Sequence, residues 1–189
     1  CDQIYITEAN NYNMLDEIPK KISTGLGRTT CSYFLPGDTT IIYASTHLAS
    51  PLCPEEPKRR KDGKYVWPIY ESFDIFITDL NGNITKQFTN EPGYDAEATV
   101  SPKGDKIVFT SIRSGDLELY TANIDGTNIQ QITNEIGYDG GAFFSHDGKK
   151  IVFRASRPKS NIEIQEYKQL LNEGLVMPTK MEIFVCNVD

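Results

Sequence analysis

Strand-length apolar runs bounded by turn residues recur along the chain. One of them, Lys106-Ile107-Val108-Phe109-Thr110-Ser111, is apolar at three consecutive positions. A strand with one wet face alternates apolar and polar side chains, so this run predicts a strand covered on both faces. It returns 44 residues later as Lys150-Ile151-Val152-Phe153, and Thr89-Asn90-Glu91-Pro92-Gly93-Tyr94-Asp95 returns as Thr133-Asn134-Glu135-Ile136-Gly137-Tyr138-Asp139. A period of this length marks an architecture built from stacked copies of one small unit.

The central copy predicts four strands, A to D, at residues 97–101, 106–111, 117–124 and 128–133. Ser101-Pro102-Lys103-Gly104-Asp105 supplies the A–B turn, and Asp125-Gly126 the C–D turn, as Asn81-Gly82 does one unit earlier. Such turns make tight antiparallel hairpins. Hairpins this short leave no room for crossover helices, so both faces of strand B must be covered by neighbouring copies. The expected fold class is all-β: a β-propeller, present as a partial ring of four-stranded antiparallel blades with one short inserted helix.

Following the register in both directions requires steps of 66 and 64 residues in place of 44, which locates two insertions, both between strands B and C. Residues 1–24 then end one blade. Residues 25–90 form a full blade with a long loop at 47–72, and residues 91–134 form another. Residues 135–189 form an incomplete blade with a helical insertion at 158–180, giving about 13 strands in all. A closed ring needs at least about four blades, so the remaining blades of the same propeller are expected in a longer or a second chain. Within the second insertion, Ser160 or Asn161 suits a helix cap, Ile164, Tyr167, Leu170, Leu171 and Leu175 form an apolar stripe, and Gly174 suits the end.

The first insertion carries several prolines, the basic run Lys58-Arg59-Arg60-Lys61 and the single tryptophan, Trp67. The basic run suits either a solvated loop or a grip on a phosphate or acidic partner. Trp67 suits an anchor of the loop on the blades, or a stacking surface for a ligand. In a propeller the B–C and D–A connections emerge on one face, and binding concentrates in loops on rigid scaffolds. That inserted face is the candidate binding face, with Tyr94, Asp95, Glu97, Arg113, Tyr138, Asp139, Arg157, His47 and Trp67 as its residues.

Asp95, Glu97 and Asp139 could together form an electronegative mouth for a metal or cationic group, whereas an Asp recurring with the fold period is expected to cap its own loop. Arg113 and Arg157 follow strand B in successive copies and are expected to bridge to an Asp of the adjacent blade; His47 takes that position in the first full unit.

A composition of 39% apolar, 24% charged and 11% aromatic residues is that of a folded protein. The net charge of -7 argues against nucleic acid as the partner, and no apolar run is long enough for a transmembrane segment. The four cysteines lack C-x-x-C spacing, which argues against zinc and dithiol chemistry and suggests scattered structural or free thiols. No G-x-S-x-G, H-E-x-x-H, P-loop or dinucleotide motif occurs, so no catalytic residue, metal ligand or cofactor is proposed.

Residues 100–111, the run Leu119-Tyr120-Thr121-Ala122-Asn123-Ile124-Asp125-Gly126-Thr127 and the following Gln131-Ile132-Thr133 resemble the WD-like repeat of TolB-like propellers. The same repeat occurs in the propellers of prolyl-oligopeptidase-like and tricorn-like peptidases. This chain departs from it at Asp38, in the place of Gly104, and at His146, in the place of Pro102. The resemblance, close to uncharacterised exported bacterial proteins, implies a periplasmic or extracellular module that binds a protein or cell-envelope component without catalysis. The alternative is the gating propeller of a serine peptidase whose triad lies in a separate domain. A third reading is a propeller enzyme of lactonase or lyase type with a channel metal.

Overall fold

The computed structural model describes residues 1–8 and 18–188. The C–D connection of the opening hairpin, and Asp189 at the expected final turn, lie outside them. In chain order the elements are β1 (Tyr5–Ile6), β2 (Lys20–Lys21), β3 (Thr29–Phe34), β4 (Thr40–Ser45), β5 (Trp67–Pro68), β6 (Asp74–Asp79), β7 (Ile84–Gln87), β8 (Asp95–Val100), β9 (Lys106–Ser111) and β10 (Glu118–Asn123). There follow β11 (Gln130–Gln131), β12 (Asp139–Phe144), β13 (Lys150–Ser156), α1 (Asn161–Asn172), β14 (Leu175–Val176) and β15 (Met181–Asn187). Five antiparallel sheets result among the described residues: β1-β2, β3-β4-β6-β7, β8-β9-β10-β11 and β12-β13-β15, here blades I to IV, and the two-stranded β5-β14.

The blades stack face to face: β8 packs on β3 and β4, and β12 packs on β8 and β9. Strand β9 is covered on both sides as its apolar run requires. Ile107 and Phe109 join Ile42, Ala44, Ile75 and Ala96 in one core, and Val108 joins Leu119, Ala142, Ile151 and Phe153 in the other. Val152, the same position in blade IV, is 38% exposed. Its neighbours Ile151 and Phe153 face blade III, so Val152 lies on the opposite face of the sheet, and the two-sided burial expected of it is not met.

Innermost strands converge on the ring axis, where space is short, and they carry small residues: Ala96, Ala98, Gly140, Gly141 and Ala142. Each also contains a bulge, with ladder slips between Thr30 and Tyr33, Ala96 and Thr99, and Gly140 and Phe143. The residues inside the slips, Cys31, Glu97 and Gly141, have φ of 51°, 59° and 59°. Only the glycine takes this left-handed conformation freely. A bulge re-aims a side chain, and the three copies aim a thiol, a carboxylate and a bare backbone.

Helix α1 begins at a capping box in which Ser160 and Glu163 satisfy each other's backbone N–H groups, and it buries Tyr167 and Leu170. Leu175, expected in its stripe, instead lies in β14 beyond Gly174, whose φ of +69° ends the helix. Strand β14 pairs with β5, placing Val176 opposite Trp67 and Leu175 opposite Pro68. The insertions of blades II and IV are thereby joined to each other. A second tie is covalent: Cys1 and Cys53 form a disulfide, with Cα atoms 5.5 Å apart, while Cys31 and Cys186 are free. The expectation of scattered thiols fails for Cys1 and Cys53, because their pairing depends on the fold and not on local spacing.

Candidate binding site at the inserted face

Asp95 opens β8 and is buried, and Arg113, just beyond β9, donates from Nη2 to its two oxygens at 3.1 and 2.9 Å. Arg157 holds the buried Asp139 with two nitrogens, Nη1 donating to Oδ1 and Nη2 to Oδ2. Each Arg therefore serves an Asp of its own blade, which corrects the expected bridge to the adjacent blade and the expected role of these aspartates as loop caps. Burial raises both carboxyls above their usual range, opposed by the arginines and by neighbouring hydroxyls. The arginine is present where the acid needs a counter-charge. In blade II, Thr29 stands in the place of Asp95 and His47 in that of Arg113, so acid and base are lost together. His47 is buried against Phe76, with ring centroids 4.5 Å apart, and its Nδ1 lies 2.9 Å from the Ser45 hydroxyl. Burial lowers its pKa and keeps the ring neutral at neutral pH.

Glu97, at the bulge of β8, reaches across to blade IV. It accepts from Tyr138 Oη at 2.7 and 2.8 Å and from the Gly141 N–H at 2.5 Å. Arg154 Nη2 approaches it at only 3.4 Å. Burial, then the charge of Glu97, push the Tyr138 phenol upward, so it stays a donor. The approach depends on Gly140: a Cβ there would run into Tyr138 Oη and the Glu97 carboxylate. The Arg154 guanidinium lies 5.0 Å from the Trp67 ring and 5.7 Å from that of Tyr138, within cation–π range.

A cleft of about 410 Å³ opens here, bounded by Arg28, Cys31, Trp67, Tyr94, Glu97 and Arg154. Of the residues singled out from sequence, Trp67, Tyr94 and Glu97 therefore share one cleft, and Tyr138 supports it from beneath. Asp95, Arg113 and Asp139 lie instead within the blade packing, Arg157 lines a separate cavity of about 100 Å³ beside α1, and His47 is buried against Phe76 of its own blade. The electronegative mouth is not formed, since each acid has its own donors; among the described residues no three His, Cys, Asp or Glu side chains are placed to share a metal.

Arg28, Cys31 and Arg154 were missed by sequence reasoning. The usable signal was departure from the repeat: Arg154 occupies the position of Thr110 and Ala44, and Arg28 that of Tyr94 and Tyr138.

Stacked antiparallel blades, with an Asp–Arg pair at the root of two of them and long loops gathered on one face, define a β-propeller, here a partial ring. The chain belongs to the TolB beta propeller domain family, whose model matches residues 68–180. Among solved structures it is similar to TolB from Acinetobacter baumannii, at 22% identity and a TM-score of 0.53, over 76% of this chain and 31% of that one. It is also similar to a putative TolB from Agrobacterium tumefaciens, at 19% identity and a TM-score of 0.52, over 90% of this chain and 66% of that one. Both likenesses are of fold. The chain spans less than two thirds of the length of the former. No curated protein matches it.

Proposed function

We propose that this chain is part of a non-enzymatic binding propeller in an exported protein, completed by further blades in a longer or second chain, and that its inserted face holds a protein or cell-envelope partner. The observation that carries this reading is the β5–β14 pairing. Two long loops from blades separated by a whole blade are fixed to each other, which is more than blade stability requires and gives one face a rigid platform beside a cleft. The disulfide between Cys1 and Cys53 supports a periplasmic or extracellular setting, because such bonds persist in oxidising compartments.

The test is site-specific photo-cross-linking in the native host, with the reactive side chain at Tyr65 on the inserted face or at Asp147 in an A–B hairpin on the other. The reading expects a discrete adduct from position 65 and none from position 147. Adducts from position 147 alone, or from neither position, would overturn it.

A further inference from the structure

The cleft at Glu97 meets a second cleft of about 570 Å³ under the first insertion, and Arg28, Trp67 and Pro68 line both. Along the joined groove the cationic side chains are Arg28, Lys58, Arg59, Arg60, Lys64 and Arg154, and the acidic ones are Asp2, Glu56 and Glu97. On a chain with a net charge of -7, this is a local reversal of sign. Several of these charges are already engaged. Arg28 holds Asp2 and Glu56, Arg60 holds Asp62 and Glu173, and Lys64 holds Asp62 and Glu166. Glu97 takes its closest bonds from Tyr138 and Gly141. Among the described residues Lys58 and Arg59 are exposed and have no ion pair, and Arg154, whose side chain is 36% exposed, is engaged through Nη2 alone, which is shared between Glu97 at 3.4 Å and Tyr138 Oη at 3.1 Å.

Unspent cationic capacity therefore sits at the two ends of the groove, with the Trp67 ring at the junction. Neither Arg154 nor Arg28 repeats in the sister blades, so blade architecture does not demand them.

Resting on the reading of the inserted face as a binding face, we propose that this groove receives an acidic, extended peptide segment of a protein partner. Carboxylates of the segment lie on Lys58 and Arg59 at one end and on Arg154 at the other, and the chain between them crosses Trp67. Charges set at both ends of a groove over an aromatic shelf match side chains spaced along a backbone, whereas a single phosphate would meet one end only.

Trp67 is the sole tryptophan, so its emission reports on the groove directly. The purified protein is titrated with a capped Glu-rich peptide, its Lys-rich counterpart, inorganic phosphate, and vesicles containing phosphatidylglycerol. The expected result is a saturable change with the Glu-rich peptide alone, weakened by salt. The exposed double substitution Lys58→Gln/Arg59→Gln should lower the affinity about three- to tenfold. No saturable change, an unaltered affinity in the double variant, or an equal response to phosphate or vesicles would each overturn the proposal. If that happens while position 65 still cross-links, the inserted face remains the binding face and only the acidic segment is wrong.

Discussion

Arg113 and Asp95 belong to the same blade, one just beyond its second strand and one at the start of its first, and they meet through a single guanidinium nitrogen at 2.9 and 3.1 Å from the carboxylate oxygens. Blade II carries His47 and Thr29 at these positions, which supplies a natural replacement to test. Arg113→His alone leaves a buried carboxylate without its counter-charge and should destabilise by about 2–4 kcal/mol. Adding Asp95→Thr should recover part of that loss, because the need for the cation disappears with the acid. Urea unfolding of the wild type, both single variants and the double variant measures the coupling. Strict additivity would show that the pair does not act as a unit.

Glu118 opens strand β10 and is buried at the blade III–IV interface, with its Oε2 unpartnered. Burial raises its carboxyl from 4.5 to about 7; Thr133 and Arg157 oppose the shift, and Asp139 and Asp116 add to it. Below the unfolded value both states hold the proton and the group contributes nothing. As pH rises from there to about 7 the unfolded chain releases the proton first, so stability falls, and the penalty is complete above that pH. It amounts to at most about 3 kcal/mol. Glu118→Gln should therefore gain on the wild type progressively between pH 5 and 8, read as a difference in melting temperature. A pH-independent difference would refute the assignment.

The blade pattern and the helix were legible because each is written as a period: 44 residues for the blade, two for the strands, and a one-sided stripe for α1. Relationships between distant segments were not. The β5–β14 pair has two residues per strand, too few for any periodic signal, and the Cys1–Cys53 partners are 52 residues apart. Recurrence exposed Asp95 and Arg113 but misdirected them, since a repeat shows that residues belong together without showing which copy each one meets. It also drew attention away from Arg28 and Arg154. A position that repeats serves the blade, and a position that breaks the repeat is free to serve a site. The left-handed bulge at Glu97 was invisible for a different reason: it follows from ladder register, and an acidic residue in a strand carries no mark of it.

Glu97 ties blade III to blade IV through Tyr138 and the Gly141 N–H. Glu97→Ala strands a buried phenol and a backbone donor, and should lower stability by about 2–3 kcal/mol. Gly140→Ala should act in the same direction by pushing the carboxylate off its partners. Combining the two should cost less than their sum, because the added methyl then meets one obstacle fewer. Thermal melts of the three variants are sufficient to decide this.

The disulfide joins Cys53 of the first insertion to the strand-bearing amino end, and β5 pins the far side of the same insertion to β14. The basic run lies between these two ties, so its exposure to protease depends on both. Reduction should lower stability by about 2–4 kcal/mol, through the freed loop entropy. It should leave a Cys1→Ser/Cys53→Ser variant unaffected. Trypsin should cut the wild type slowly within residues 58–64, because a bound substrate needs several residues of free chain on either side. Trp67→Ala removes the shelf beneath Arg154 and loosens β5, so cleavage there should accelerate several-fold, and more again after reduction. Blade III, whose core strand β9 is buried on both faces, should survive as a resistant fragment under the same conditions. Mass spectrometry of a digestion time course distinguishes this from global unfolding, in which cuts within residues 58–64 and within blade III would appear at the same rate.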